Sequence, residues 1–286
     1  MILVTGATGK VGSEVVRQLA AAGTPVRALV RDPVGASGIR LPGVEIVSGD
    51  LARPETLAPA LAGVERVFLL TPAHRDMLEY ESNVVDAAAA SGARRIVKVS
   101  VAGGPDAGTQ IGRWHWAGEK KVESSGLDFT FLRPTLYMQQ MLVYARSISL
   151  TGTFSAPLGT GAVAIVDARD VAAVAVRTLT EDGHSRHIYD VTGPEALTFD
   201  EAADAISQAT GRSVSYVHVA PEYALKQMLS DGVPRWLADD MLVLFASFRE
   251  GYGGAVSDTV ARITGRPAGT FRQFAADYAS VFRDGR

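Results

Sequence analysis

The stretch Ile2-Leu3-Val4-Thr5-Gly6-Ala7-Thr8-Gly9-Lys10-Val11-Gly12-Ser13-Glu14-Val15-Val16-Arg17-Gln18-Leu19 decides the fold. Its first four residues are a short apolar run that reads as a buried strand. Val11, Val15, Val16 and Leu19 then recur at the spacing of one helical face, predicting a helix over residues 11–22 that Gly23 stops. Between the two lies Gly6-x-x-Gly9-x-x-Gly12. Residues without a Cβ permit the tight turn and let the backbone approach a pyrophosphate closely. The helix N-terminus adds unsatisfied N–H groups and the positive end of a dipole. A glycine triplet alone is a weak signal; a strand before it and a helix after it, in the first βαβ unit, give it meaning. The loop therefore predicts a dinucleotide site built by Gly6, Thr8, Gly9, Lys10, Val11 and Gly12, against a tight turn that holds nothing.

The same rhythm continues outward. Further strands are predicted at residues 26–30, 44–47, 67–70, 95–101, 129–132 and 187–191, with an Ala-rich helix at 80–91. Six or seven strands alternating with helices describe an α/β fold, a doubly wound Rossmann-type parallel sheet with right-handed crossovers. From residue 151 the pattern changes. Residues 151–161, rich in Gly, Thr and Pro, predict a loop facing ligand or solvent. A helix capped at Asp167, with Asp170 in its first turn, runs to 179. Thr198-x-x-Glu201 is a capping-box pattern, and helices follow at 221–230, 234–248 and from 271. The expected division is a nucleotide-binding domain at 1–192, with 151–163 as a substrate-side excursion, and a smaller, mainly helical domain at 193–286. Ligands of this fold sit at the carboxyl ends of the strands, so the tail is expected to cover the substrate side.

Bulk composition narrows the function. Of 286 residues, 47% are apolar and 21% charged, enough for a sizeable core, and the net charge of −3 argues against a nucleic-acid footprint. The absence of cysteine excludes disulfides and thiolate chemistry. No run approaches the roughly 18 apolar residues of a membrane helix, and no basic segment precedes the first strand, so a cytoplasmic protein is expected. No metal is expected: His184-x-x-His187 has no carboxylate at ligand spacing.

The end of the second strand discriminates between cofactors. An NAD site places an acidic residue there for the ribose 2′-OH. Here the strand ends Leu29-Val30-Arg31, and the Arg31 guanidinium suits a 2′-phosphate, with Lys10 as a second cation. Asp32 comes one residue later, where its side chain points elsewhere. NADP(H) is thus preferred and NAD(H) remains possible; the bland alternative is a solvated Arg31. In Gly49-Asp50-Leu51, after the third strand, Asp50 either bonds an adenine amino group or caps a turn.

Together with Gly126-Leu127-Asp128-Phe129-Thr130-Phe131-Leu132-Arg133-Pro134 and Ile263-Thr264-Gly265-Arg266-Pro267, these motifs resemble the atypical short-chain dehydrogenase/reductases of the NmrA-like group. The likeness is nearest to the branch containing NAD(P)H:quinone oxidoreductase type 2 and triphenylmethane reductase. It covers essentially the whole chain. It implies cofactor contacts from Asp50 and Leu51, from Leu70, Thr71 and Pro72 after the fourth strand, from Ser100 after the fifth and from Pro134 after the sixth. The Tyr-x-x-x-Lys pair of typical short-chain dehydrogenases is missing. In the corresponding helix stands His115-x-x-x-Glu119, similar to the His-x-x-x-Glu of the quinone and dye reductases, on one helical face. Either His115 titrates near neutrality, is oriented by Glu119 and hands over a proton, or the two form a local helix ion pair. Tyr137 is a third catalytic candidate, stacking on or bonding to a flat substrate, or else a tyrosine bonded to backbone. Phe154, Trp114 and Trp236 are either apolar walls or packing.

Quinones and cationic dyes are electrophilic enough to accept hydride without strong acid catalysis. The sequence thus points to an NADPH-dependent oxidoreductase acting on a small quinone-like or other flat conjugated acceptor, with a homodimer possible. Two alternatives stay open, a non-catalytic NAD(P)-sensing regulator and a tailoring oxidoreductase for an aromatic natural product.

Overall fold

Alternating apolar residues along each strand generate the sheet in the computed structural model, which describes residues 1–285. The strands in chain order are β1 (Ile2–Val4), β2 (Val26–Val30), β3 (Val44–Ser48), β4 (Arg66–Leu69), β5 (Arg95–Val99), β6 (Asp128–Pro134), β7 (Thr153–Ala156), β8 (His187–Val191) and β9 (Ser215–His218). Seven of them form one parallel sheet in the order β3-β2-β1-β4-β5-β6-β8. Successive residues face opposite sides. Ile2, Val4, Val97 and Val99 pack on Val15, Val16 and Leu19 of α1 (Gly12–Ala21), whereas Leu3, Leu69 and Ile96 pack beneath Leu57 and Leu61 of α2 (Leu57–Leu61) and Val84, Val85 and Ala88 of α3 (Met77–Ser91). Covering both faces explains why β1 and Val67, Phe68 and Leu69 of β4, at the centre of the sheet, read as unbroken apolar runs. Each such Val or Leu contributes about 1.5–3 kcal/mol by burial.

The chain reverses its direction of travel across the sheet between β1 and β4, which leaves a crevice at the carboxyl ends of those strands. α4 (Gln110–Glu123) crosses the same face as α3, while α5 (Ala145–Thr151) follows β6. Asp167 caps α6 (Ala168–Thr180), accepting from Arg169 N–H at 2.8 Å. Thr198 and Glu201 form the expected capping box of α7 (Phe199–Thr210). α8 (Pro221–Ser230), α9 (Arg235–Arg249), α10 (Thr259–Thr264), α11 (Phe271–Asp277) and α12 (Ala279–Asp284) complete the chain. No helix among the described residues is long and apolar enough to cross a membrane.

Residues 151–161 are not simply a loop. Thr153–Ala156 is β7, which pairs in parallel with β9 as a second, two-stranded sheet. Phe154 and Ala156 point inward while Thr153 and Ser155 do not, a period-two pattern too short to show against its Gly/Thr/Pro surroundings. Phe154 is therefore core and not a ligand wall: its ring centroid lies 5.8 Å from Phe199 and 5.5 Å from Tyr216. Together with Met138, Met141, Phe248 and Phe274 it belongs to a third apolar cluster, joining the segment after β6 to the C-terminal helices.

Candidate active site

At the turn between β1 and α1, Gly6 has φ +60°, and a Cβ there would lie 2.9 Å from the Leu70 carbonyl oxygen. A Cβ on Gly12 would overlap the Gly6 carbonyl. Gly9 N–H donates to that same carbonyl at 2.9 Å. Both Gly6 and Gly12 are thus demanded by the close approach of backbone to backbone. No side chain caps α1, and the N–H groups of Lys10, Val11 and Gly12 donate to nothing among the described residues. An uncapped N-terminus of a ten-residue helix at the sheet's crevice is an anion cradle. Thr5 fixes its floor: the Thr5 hydroxyl donates to Leu70 O and accepts from Leu70 N–H, both at 2.9 Å.

Arg31 follows β2 directly, is exposed and forms no ion pair among the described residues. Asp32 turns away, its Oδ1 accepting from Val34 N–H at 2.9 Å. Asp50 does cap its own turn, with Oδ1 accepting from Ala52 N–H at 3.1 Å. Leu51 packs partly on the α2–α3 cluster, and its carbonyl accepts from Asn83 at 2.8 Å. Lys10 does not join Arg31. Its ammonium donates to Gln139 O at 3.3 Å and Gln140 Oε1 at 3.1 Å, on the segment after β6 and so across β1 from β2. Burial pushes the Lys10 pKa down.

The other end of the crevice is formed where β4, β5 and β6 stop. Thr71 and Ser100 are buried there, and the Ser100 hydroxyl has no partner. Pro72 is exposed, and Pro134 is buried. Beside Pro134 opens a cavity of about 190 Å³. It is walled by Tyr137, Ile111, Met241, Leu244, Phe248 and Tyr252, and Asp240 is the one charged residue in its lining. Asp240 is itself engaged: it reaches from α9 to accept from Gln110 N–H at 2.5 Å and Ile111 N–H at 3.0 Å, beside the Thr109 cap of α4. Tyr252 donates to the Ala102 carbonyl and closes the other side. α9 covers the substrate side as expected of the helical tail, but through Met241, Leu244 and Phe248 and not through the expected wall residue Trp236. The signal was its apolar face, Met241, Leu244, Phe245 and Phe248, at i, i+3, i+4 and i+7.

Tyr137 lines this cavity, and its hydroxyl makes no hydrogen bond within the described residues, contrary to a tyrosine tied to backbone. Burial pushes its phenol well above the ordinary range, so it is a neutral donor. Trp114 and Trp236 pack edge to face at 5.6 Å and lie outside the lining.

Neither expectation for His115 and Glu119 survives as stated, because they do not pair with each other. α4 lies across two strands, and each side chain takes a partner from the strand beneath it. Glu119 forms a two-point ion pair with Arg133 of β6, at 2.9 and 2.5 Å. His115 Nδ1 lies 3.1 Å from Lys98 Nζ on β5. Lys98 is fully buried and bonds Glu81 Oε1 of α3 at 2.6 Å; Thr71 donates to the same oxygen at 3.0 Å. Nor does His115 titrate near neutrality. Burial, then the Lys98 charge, hold its pKa well below the ordinary range. Lys98 and Glu81 were missed, although a lysine inside Ile96-Val97-Lys98-Val99 is a visible anomaly in a buried strand.

Residues 1–264 match the sequence pattern of the NmrA-like family. An NAD(P)H azoreductase from Xenophilus azovorans is 44% identical over 283 residues, 99% of each chain. A (4-alkanoyl-5-oxo-2,5-dihydrofuran-3-yl)methyl phosphate reductase from Streptomyces griseus is 41% identical, again over 99% of each chain. Among solved structures, the NADPH-dependent quinone oxidoreductase QOR2 of Escherichia coli, complexed with NADPH, superposes with a TM-score of 0.89. It is 27% identical, and the match covers 97% of this chain and 99% of that one.

Proposed function

The chain belongs to the NmrA-like family, and we propose that it is an NADPH-dependent reductase of flat conjugated acceptors such as quinones and azo compounds. The cavity beside Pro134 carries this conclusion: it is apolar, lies beyond the carboxyl ends of β5 and β6, and is lined by Gln140, which accepts from Lys10 of the glycine loop. The residues present fit the cofactor. The free N–H groups of Lys10, Val11 and Gly12 suit a pyrophosphate, Arg31 suits a 2′-phosphate, and the unpartnered Ser100 hydroxyl suits the nicotinamide end. When bound, NADPH would supply a hydride; a quinone or azo acceptor takes that hydride and one proton, a cationic dye the hydride alone.

The protein's part is placement. Leu244, Phe248 and Met241 press a planar acceptor against Pro134 and exclude water. Tyr137, kept neutral, donates a hydrogen bond to the acceptor oxygen or nitrogen on which negative charge grows. His115, also neutral, lies outside the cavity's lining; held beside Lys98 of β5, it is assigned as a second donor reaching the bound cofactor and acceptor from that side. The proton comes finally from solvent, since neither group is acidic enough to lose one readily. No cation lines the cavity, which favours neutral or cationic acceptors over phosphate-bearing ones such as the substrate of the Streptomyces relative. Leu244→Trp tests the assignment by filling the cavity. An acceptor excluded from the cavity loses its placement, so kcat/KM for the acceptor should fall by roughly tenfold or more while NADPH affinity holds. Equal loss of both would remove the acceptor from this cavity.

A further inference from the structure

The α3–β5–α4 junction contains a buried charged cluster. Lys98 replaces what should be an apolar side chain: Ile96, two residues earlier on the same face of β5, packs in the core beneath α3. Glu81 is 0% exposed, Lys98 0% and His115 7%. Burying an ion pair is costly unless its geometry is good and its remaining hydrogen bonds are satisfied; here Glu81 Oε1 takes two bonds, while the buried Oε2 finds no partner among the described residues. The helix has been fitted around it as well. Gly118 sits in the middle of α4, where glycine is unfavourable by about 1 kcal/mol. A Cβ at that position would overlap Glu81 Oε2 and come within 3.1 Å of Lys98 Cε.

Counting hydrogens then fixes the state of the histidine. An ammonium has three donors and no acceptor. Lys98 Nζ has three neighbours: Glu81 Oε1 at 2.6 Å, the Val99 carbonyl at 3.2 Å and His115 Nδ1 at 3.1 Å. Each therefore receives one N–H, and Nδ1 must be unprotonated. We propose that Lys98 and Glu81 are positioning residues that hold His115 as the neutral imidazole with its proton on Nε2, a fixed hydrogen-bond donor for the reaction. This rests on His115 belonging to the reductase site.

Other charges facing His115 do not alter this balance. Glu81 Oε1 is 3.9 Å from Nδ1 but is committed to Lys98, and Glu119, on the same helix, is committed to Arg133. Thr71 contributes only a hydroxyl, donated to Glu81. His115 thus meets a cation first, which opposes its protonation.

Long-range ¹⁵N–¹H correlation spectra of the full chain saturated with NADP⁺ read the tautomer directly, His115 being identified by its loss in His115→Gln. The expected spectrum shows the Nε2–H form unchanged between about pH 5 and pH 8, a range in which an ordinary histidine protonates. Lys98→Met/Glu81→Gln exchanges the ion pair for neutral groups of similar size, so the protein can fold without a lone buried charge. In that variant no N–H faces Nδ1, so the Nδ1–H tautomer should appear in the spectrum beside the Nε2–H form, and kcat for the acceptor should fall while the Kd for NADPH holds. A purely structural pair would lower stability and leave both tautomer and kcat unchanged, overturning the proposal, as would a parent imidazole that is Nδ1–H or titrates. Failure of the reductase assignment itself would show separately, as absence of turnover in the parent with the tautomer intact.

Discussion

Gly118→Ala should destabilise this protein, against the usual sign for glycine in a helix. In an open helical position the change stabilises by about 1 kcal/mol. Here the new methyl overlaps Glu81 Oε2, while the other carboxylate oxygen is held by Lys98 at 2.6 Å and Thr71 at 3.0 Å. Glu81 can move only by loosening those bonds in a site with no solvent. Disrupting one partner of a buried ion pair costs about 3–5 kcal/mol, so the net loss is about 2–4 kcal/mol. At about 2–4 °C per kcal/mol for a large domain, Tm should fall by about 4–16 °C. Thermal and urea unfolding followed by circular dichroism measure this. In a Lys98→Met/Glu81→Ala background the obstacle is gone, and the same substitution should be neutral or stabilising, a change of sign that isolates the coupling. If Gly118→Ala stabilises the parent by about 1 kcal/mol, the carboxylate does not lie against α4, and the account of the buried cluster falls with it.

Arg31→Ala should raise the Kd for NADPH by about ten- to hundredfold, the loss of a charge-assisted hydrogen bond of about 1.5–3 kcal/mol, and leave that for NADH nearly unchanged. Equal changes in the two titrations would contradict the 2′-phosphate assignment. Acid should weaken the fold through its histidines. Burial depresses the pKa of both His115 and His184 in the folded state, so the unfolded chain binds protons first. Their contribution is present above the ordinary histidine pKa of about 6.5 and is lost as pH falls below it, by at most about 1.4 kcal/mol per pH unit per group. Stability measured by denaturant at a series of pH values should therefore fall less steeply in His115→Gln; an unchanged slope would place the imidazole in water.

Much of the fold was legible because its signals are local. The glycine loop, the apolar runs of β1 and β2 and the caps at Asp167 and Thr198 each state a backbone requirement within a few residues. β7 and β9 were not legible, since each is four residues long: the period-two pattern of Phe154 and Ala156 is too short to stand out, and pairing with β9 and packing on Phe199 come only from the tertiary fold. The site divided similarly. Arg31 and the cradle follow from position along one βαβ unit. The spacing of His115 and Glu119 correctly put them on one face of α4, but not above different strands, so their partners Lys98 and Arg133 depend on how the helix crosses the sheet. The acceptor cavity joins residues about a hundred positions apart, such as Pro134 and Leu244, and only tertiary packing brings them together.

Whether the crevice and its cavity perform hydride transfer or merely hold a dinucleotide is decided by mixing the protein with NADPH and a panel of neutral quinones, azo compounds and cationic dyes, while following nicotinamide absorbance and the acceptor together. The account predicts acceptor-dependent oxidation of NADPH with one acceptor reduced by two electrons per NADPH consumed. Tight binding of both NADPH and NADP⁺ with no acceptor-dependent oxidation across the panel would contradict it and leave a cofactor-sensing protein in its place.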